Sequence, residues 1–167
     1  MYVKRISFCM IMKLDDYDFR ILDMLATNSK RTISELSSAC GLSRTPVYER
    51  IKKLEEAKVI EGYSADINHA SVGLAIHAFC SVSLKEHSTT FLTTFEREIL
   101  THSEVVNCHH IAGNFDYLIE IRCADMDAYH DLISIKLAGI ENIGNVQSSF
   151  VLKPVKAKTT PKLSINS

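Results

Sequence analysis

The chain has 167 residues, a length that suits two small domains better than one. Apolar residues make up 46% of it, enough for ordinary globular cores. The formal charge of -1 excludes a general polyanion binder, so any affinity for nucleic acid has to come from local charge.

The opening MYVKRISFCMIMKL carries basic residues and then an apolar run from Ile6 to Met12, interrupted by Ser7. That run is too short to span a membrane and lacks a small-residue cleavage site after it. The expectation is a loosely docked arm over 1–13, with Met12 as an alternative start. No other segment approaches transmembrane length. Five cysteines, without a CxxC pair or regular spacing, read as reduced and mostly buried thiols of a cytoplasmic protein.

From Leu14 the pattern turns helical, with Leu14, Tyr17, Ile21 and Leu25 at three- and four-residue spacing. Asp15, Asp16 and Asp18 lie near the start, where the helix dipole favours negative charge. Thr27-Asn28-Ser29 breaks this helix. Thr32-Ile33-Ser34-Glu35 is a capping-box pattern that opens a second helix, with Ile33, Leu36 and Ala39 or Cys40 inward. Gly41 ends it and supplies the left-handed conformation of a tight turn. Leu42 plugs the angle, and Ser43 is expected to cap a third helix with Val47, Ile51 and Leu54 on its inner side.

Two short helices joined at a glycine, the second beginning with basic and hydroxyl residues, have the layout of a helix-turn-helix. Arg44, Thr45, Tyr48, Glu49, Lys52 and Lys53 fall off the inner stripe, and with Arg50 the cations outweigh the single acid Glu49. Arg44 can reach a guanine edge with two hydrogen bonds, and Thr45 and Tyr48 can touch bases, thymine methyls or phosphates. Arg50, Lys52 and Lys53 are expected on backbone phosphates. Pro46 fits the first turn, where its missing N–H has no intrahelical partner. The competing reading is an amphipathic helix with merely solvated charges; the ordered caps and glycine turn favour double-stranded DNA as partner.

After Val59 the helical period ends, and 64–73 reads as a linker. Ile76, Ala78, Cys80, Val82 and Leu84 then form a period-two strand face. Ser88 caps a helix with Phe91, Leu92, Phe95 and Ile99. A strand is expected over Val105–Ala112, a two-residue turn at Gly113-Asn114, and a strand over Phe115–Cys123. Asp125 caps a helix with Met126, Tyr129, Ile133 and Leu137 on one stripe. Gly139 and Gly144 bracket its exit, and a last strand is expected over Val146–Leu152. The order β-α-β-β-α-β is the ferredoxin-like arrangement, so the fold class is α+β: a helix-turn-helix (winged-helix-like) domain over 14–63, a ferredoxin-like domain over 74–154 and a lysine-rich tail over 155–167.

The Gly113-Asn114 turn has chemistry that suits an amino acid. A glycine turn exposes N–H donors for an α-carboxylate, and Asp116 can accept from an α-ammonium. Equally, these residues fit a plain hairpin turn. A metal site at His109-His110 is disfavoured, because neighbours on a strand point to opposite faces. Cys80, Cys108 and Cys123 fit small buried strand positions, and no base stands by any of them to make a catalytic thiol.

The stretches LDDYDFRILDML, ISELSSACGLSRTPVYERIKKLEEAKVIEGY and HHIAGNFDYLIEIRCADMDAYHDLI resemble the Lrp/AsnC family of bacterial and archaeal regulators. With the strand pattern, the resemblance covers about Leu14 to Pro154. It implies a transcription factor without enzymatic activity or cofactor, with an N-terminal DNA-binding domain and a C-terminal RAM domain. It implies dimers formed through the sheets, octamers or related rings of dimers, and an amino-acid effector near the central turn. The implied effector residues are Gly113, Asn114, Phe115, Asp116 and Tyr117, with Met126, Ser148 and Ser149 drawn in by the expected proximity of the second helix and last strand. An architectural DNA protein with little ligand dependence is one alternative. A sirohaem-decarboxylase-like enzyme using His77, His109 or His110 is another, which the basic Arg44 to Lys53 surface opposes.

Overall fold

The structure, a computed structural model, describes residues 13–156, so the arm and most of the tail lie outside the described residues. Two compact units divide them, the first running to Asp66 and the second Ile67–Val155.

The first unit holds three helices: α1 (Asp16–Thr27), α2 (Ile33–Cys40) and α3 (Arg44–Glu56). Asp15 caps α1 by accepting from the N–H groups of Tyr17 and Asp18, while the Asp18 carboxylate accepts from the Asp15 N–H. Thr32 and Glu35 make the expected reciprocal box on α2, with Glu35 Oε2 2.7 Å from the Thr32 N. Gly41 ends α2 at φ 69°, in the left-handed region, and its N–H returns to the Ser37 carbonyl. Ser43 occupies the cap position of α3, yet its hydroxyl accepts no helix N–H, contrary to expectation. The core is Ile21, Leu25, Leu36, Cys40, Val47, Ile51 and Leu54, with Leu42 packed against it. Each of the Val, Leu and Ile side chains contributes about 1.5–3 kcal/mol on burial.

Asp18 lies near the start of α1, as the sequence places it, and is 3% exposed. Its carboxylate takes a 2.7 Å bond from Arg50 on α3, whose other nitrogen lies 2.8 Å from Asp15. The Arg50 guanidinium also sits 5.4 Å from the Tyr17 ring centre. Arg50 therefore ties α1 to α3 and does not stand free for phosphates, because a nearly buried carboxylate has to be paired.

The second unit begins with a 3-10 turn at His69–Val72 and then follows the order β1 (Ile76–Leu84), α4 (Thr89–Ile99), β2 (Val105–His110), β3 (Tyr117–Cys123), α5 (Met126–Asp131) and β4 (Ile143–Phe150). The antiparallel sheet has the strand order β2-β3-β1-β4. Ala78, Cys80, Val82 and Leu84 on β1 share a buried face with Tyr117, Ile119, Ile121 and Cys123 on β3. Phe95 and Ile99 of α4 and Tyr129 of α5 cover that face. His77, Phe79, Leu118, Glu120 and Arg122 occupy the opposite face, by strand alternation.

Three boundaries differ from the sequence reading. The β2–β3 connection is a loop from Ile111 to Asp116 and not a two-residue turn: the Asp116 N–H donates to the Val82 carbonyl, and the Asp116 carbonyl accepts from the Ile111 N–H. The α5 helix continues as a π-helical segment, Leu132–Leu137, which breaks the expected stripe: Leu132 becomes fully buried and Ile133 only partly so. Strand β4 starts early, at Ile143, and contains Gly144, where an added Cβ would lie 3.2 Å from the Ser83 carbonyl.

Removing the Asp18 charge breaks the tie between α1 and α3. Asp18→Asn is expected to lower stability by about 1.5–3 kcal/mol, the range for a hydrogen bond to a charged group, measured by urea unfolding. Acid has a defined effect as well. Burial opposes ionisation of Asp15, but the Asp18 N–H and Arg50 outweigh it and hold its pKa below 3.8. Lys136 does the same for Glu104. A carboxylate with a depressed folded-state pKa stabilises above its unfolded value and loses that contribution as pH falls through the folded one. Melting temperature should fall with this signature below about pH 4, and a flat profile from pH 6 to 3 would contradict it.

Candidate functional site

Two surfaces carry the sequence-predicted site residues, one in each unit. In the first, α3 divides into two faces. Val47, Ile51 and Leu54 are buried. Ser43, Arg44, Thr45, Tyr48, Glu49, Lys52 and Lys53 are exposed, Pro46 is partly so, and Tyr48 is 58% exposed. Arg44 stands at the first position of the helix and gives an Nη2 hydrogen bond of 3.1 Å to Ser34 Oγ on α2. Lys52 lies 3.7 Å from Glu56, a solvent-exposed pair of little strength. With Arg50 committed inward, Arg44, Lys52 and Lys53 remain as the outward cations of α3, set against Glu49 and Glu56. That is an aromatic and basic surface at the start and flank of a helix held from behind.

The second surface is the loop at Gly113. Gly113 adopts φ 148°, a conformation that L side chains rarely take. Ala112, Gly113 and Asn114 are exposed, and Phe115 and Asp116 are half-buried. Asp116 is already engaged: one carboxylate oxygen accepts from the Leu84 N–H at 2.8 Å, and the other lies 2.9 Å from His87 Nε2. Tyr117 is part of the core. Its ring lies 4.4 Å from that of Phe95, and its hydroxyl donates to Glu96. Burial and the Glu96 carboxylate push the Tyr117 hydroxyl pKa upward. Tyr117 thus forms a wall behind the loop, not a free contact.

Met126, Ser148 and Ser149 are not brought to this loop within one chain. Met126 begins α5, past the Cys123 end of β3, while the loop precedes its Tyr117 end. Ser148 pairs with Cys80 and Ser149 with Phe79, in mid-sheet, whereas the loop joins β1 at Val82. The Ser148 hydroxyl is taken by Tyr129 on the helix-covered face. Within one chain the second helix does not approach the loop, because α5 and the loop lie at opposite ends of β3.

Sequence reasoning missed the residues that meet Asp116. Leu84 and His87 are distant from it in the chain, and only the sheet register joins them. It also missed a cavity of about 560 Å³ next to the β1 exit, lined by residues that include Lys85, Ile133, Ile140, Asn142, Ile143 and Val146. Asn142, at φ 70°, holds that exit by accepting from the N–H of Lys85 and of Glu86. No cluster of three metal-ligating side chains occurs among the described residues.

A helical unit with an exposed basic helix and a ferredoxin-like unit with a structured loop define a two-domain regulator that joins DNA binding to ligand binding. Comparison with known proteins agrees. Residues 14–61 match the winged helix-turn-helix DNA-binding family, and residues 77–161 match the Lrp/AsnC ligand binding domain. The Bkd operon transcriptional regulator of Pseudomonas aeruginosa is 32% identical, over 90% of this chain and 99% of its own. The leucine-responsive regulatory protein of Haemophilus influenzae is 33% identical, over 86% of each chain. A transcriptional regulator from Neisseria meningitidis, solved as its L-Met complex, is 33% identical with a TM-score of 0.85, over 92% of this chain and 97% of its own. The chain belongs to the Lrp/AsnC family of transcriptional regulators, and the enzyme reading is set aside.

Proposed function

We propose that the protein is a cytoplasmic, sequence-specific regulator whose DNA affinity or assembly responds to an amino acid. The observation that carries the DNA half is the division of α3, with Val47, Ile51 and Leu54 buried and Arg44, Tyr48, Lys52 and Lys53 turned outward. Ser43, Arg44, Thr45, Pro46, Tyr48 and Glu49 form the tip that enters the major groove. Arg44 reads a base edge, and Lys52 and Lys53 flank it on phosphates. Two copies present two such tips, about 34 Å or a multiple of it apart, on a roughly palindromic site.

Dimers form through the open sheet face, where Phe79 and Leu118 are half-buried beside a polar cluster. In that cluster Glu120 accepts from Asn107 at 2.7 Å and lies 3.0 Å from His77. Dimers then assemble into octamers or related rings. The effector sits at Gly113, Asn114, Phe115 and Asp116, with Tyr117 behind. Its ammonium joins Leu84 and His87 on the Asp116 carboxylate, and its carboxylate meets loop N–H groups. The L-Met complex of the Neisseria relative supports an amino acid as the ligand class. Coupling requires that this ligand bind one assembly state better than another.

Two experiments test this reading. Selection from a randomised duplex library defines a preferred site. On that site Arg44→Ala should lose discrimination at one base pair, a loss of about 1–3 kcal/mol, with dimers intact. Lys52→Ala should weaken binding to all sequences and lower the salt slope by about one. Wild-type discrimination by Arg44→Ala would remove the assignment of the reading helix. For the effector, the full chain is melted with each of the twenty amino acids. A ligand at 100 times its Kd adds about 2.7 kcal/mol, so one or a few amino acids should raise the melting temperature of the wild type but not of Asp116→Asn. No shift with any of them, together with an unchanged DNA footprint, would favour a ligand-independent architectural role.

A further inference from the structure

We infer that Ser34, on the helix before the reading helix, is a positioning residue for base recognition: it holds the Arg44 guanidinium in the orientation that meets the base. The inference rests on the proposed role of α3 and assigns a part of the interface that lies outside it.

The contact is direct, with Arg44 Nη2 3.1 Å from Ser34 Oγ across the turn. Both residues are exposed, so burial does not hold the pair together. Arg44 has no other hydrogen-bond or ion-pair partner described among residues 13–156. Ser34, in contrast, is fixed. Its backbone lies in the first turn of α2, between the capping-box partners Thr32 and Glu35, and its carbonyl receives the Ser38 hydroxyl. The two helices that carry the pair are set by the Gly41 turn and the apolar core behind it.

An arginine side chain is long and rotamer-rich, and freezing it on a base costs conformational entropy. A guanidinium has five N–H donors in a planar fork. Serine accepts one of them from the side. The remaining edge stays free for the paired acceptors of a guanine, which need two parallel donors. Serine is neutral and short, so it orients the fork without screening its charge. An acid at position 34 would hold Arg44 more tightly but would repel phosphates. Ser34 therefore acts on discrimination, through Arg44, and not on general affinity for DNA.

The test uses the full chain and the site selected from the randomised duplex library, with all single-base variants of that site. Ser34→Ala is expected to weaken binding to the selected site by about three- to tenfold. The loss should fall at the same base pair that Arg44→Ala makes indifferent. Affinity for unrelated duplex and the salt slope should stay at wild-type values. Ser34→Thr, which keeps the hydroxyl, should restore discrimination. The double variant Ser34→Ala/Arg44→Ala should discriminate no worse than Arg44→Ala alone. The inference is overturned if Ser34→Ala discriminates like wild type while Arg44→Ala does not, or if its loss is uniform over all sequences. If Arg44→Ala itself discriminates like wild type, the assignment of α3 falls, and Ser34 with it.

Discussion

The DNA-binding unit depends on a carboxylate that water barely reaches. Asp18 is almost fully buried, and its charge is kept there by the Arg50 guanidinium. Apolar packing of Val47, Ile51 and Leu54 presses α3 against its neighbours but is tolerant of small rotations, since such contacts are not directional. The Arg50 fork is directional. It grips Asp18 and Asp15 at once, and Asp15 is also the N-cap of α1. One cation thereby joins the N-cap of α1 to α3 and opposes rotation of α3 about its own axis. Which residues of α3 look outward follows from how it is turned. A residue expected on the nucleic-acid side thus serves the surface by being withdrawn from it.

The regulatory unit uses the same device in a milder form. Asp116 binds the Leu84 N–H and His87, so the loop between two strands is pinned to the exit of a third. Asn142 pins that exit from the other side. Loop, exit and cavity form one connected region at one end of the sheet. An amino acid that competed for Asp116 would disturb the exit of β1 as well as the loop. This gives the proposed effector a route to the sheet edge without any large movement.

Much of this was legible in the sequence, for local reasons. The Thr32–Glu35 capping box, the Gly41 turn and the period-two face of β1 are set by residues a few positions apart, and the order of elements followed from such local patterns. What was not legible is non-local. Arg50 looks like any outward cation of a basic helix, and nothing within one turn of it marks its pairing with Asp18, 32 positions away. The π-helical segment after α5 was invisible because Leu132-Ile133-Ser134-Ile135 fits a helical stripe in more than one register. The mid-sheet position of Ser148 and Ser149, opposite Cys80 and Phe79, follows from the register of β4 on β1, which element order does not give.

The same distinction separates the residues that hold each surface in place from those that only face outward. Positions that hold α3 in place, such as Asp18, Arg50 and the apolar stripe, are coupled to each other and are costly to change singly. Outward positions such as Thr45, Tyr48 and Glu49 touch little else in their unit, so their substitution alters what the helix meets without altering its pose. Around the Gly113 loop the order is reversed. Asp116 and Tyr117 are committed to the fold, and the exposed Ala112 and Asn114 are the parts least tied to it. Side-chain selectivity for a ligand would then reside in those free positions, and recognition of the shared amino-acid backbone in the committed ones. The proposed ligand class is for that reason argued from Asp116 and the loop N–H groups, which the fold holds in place.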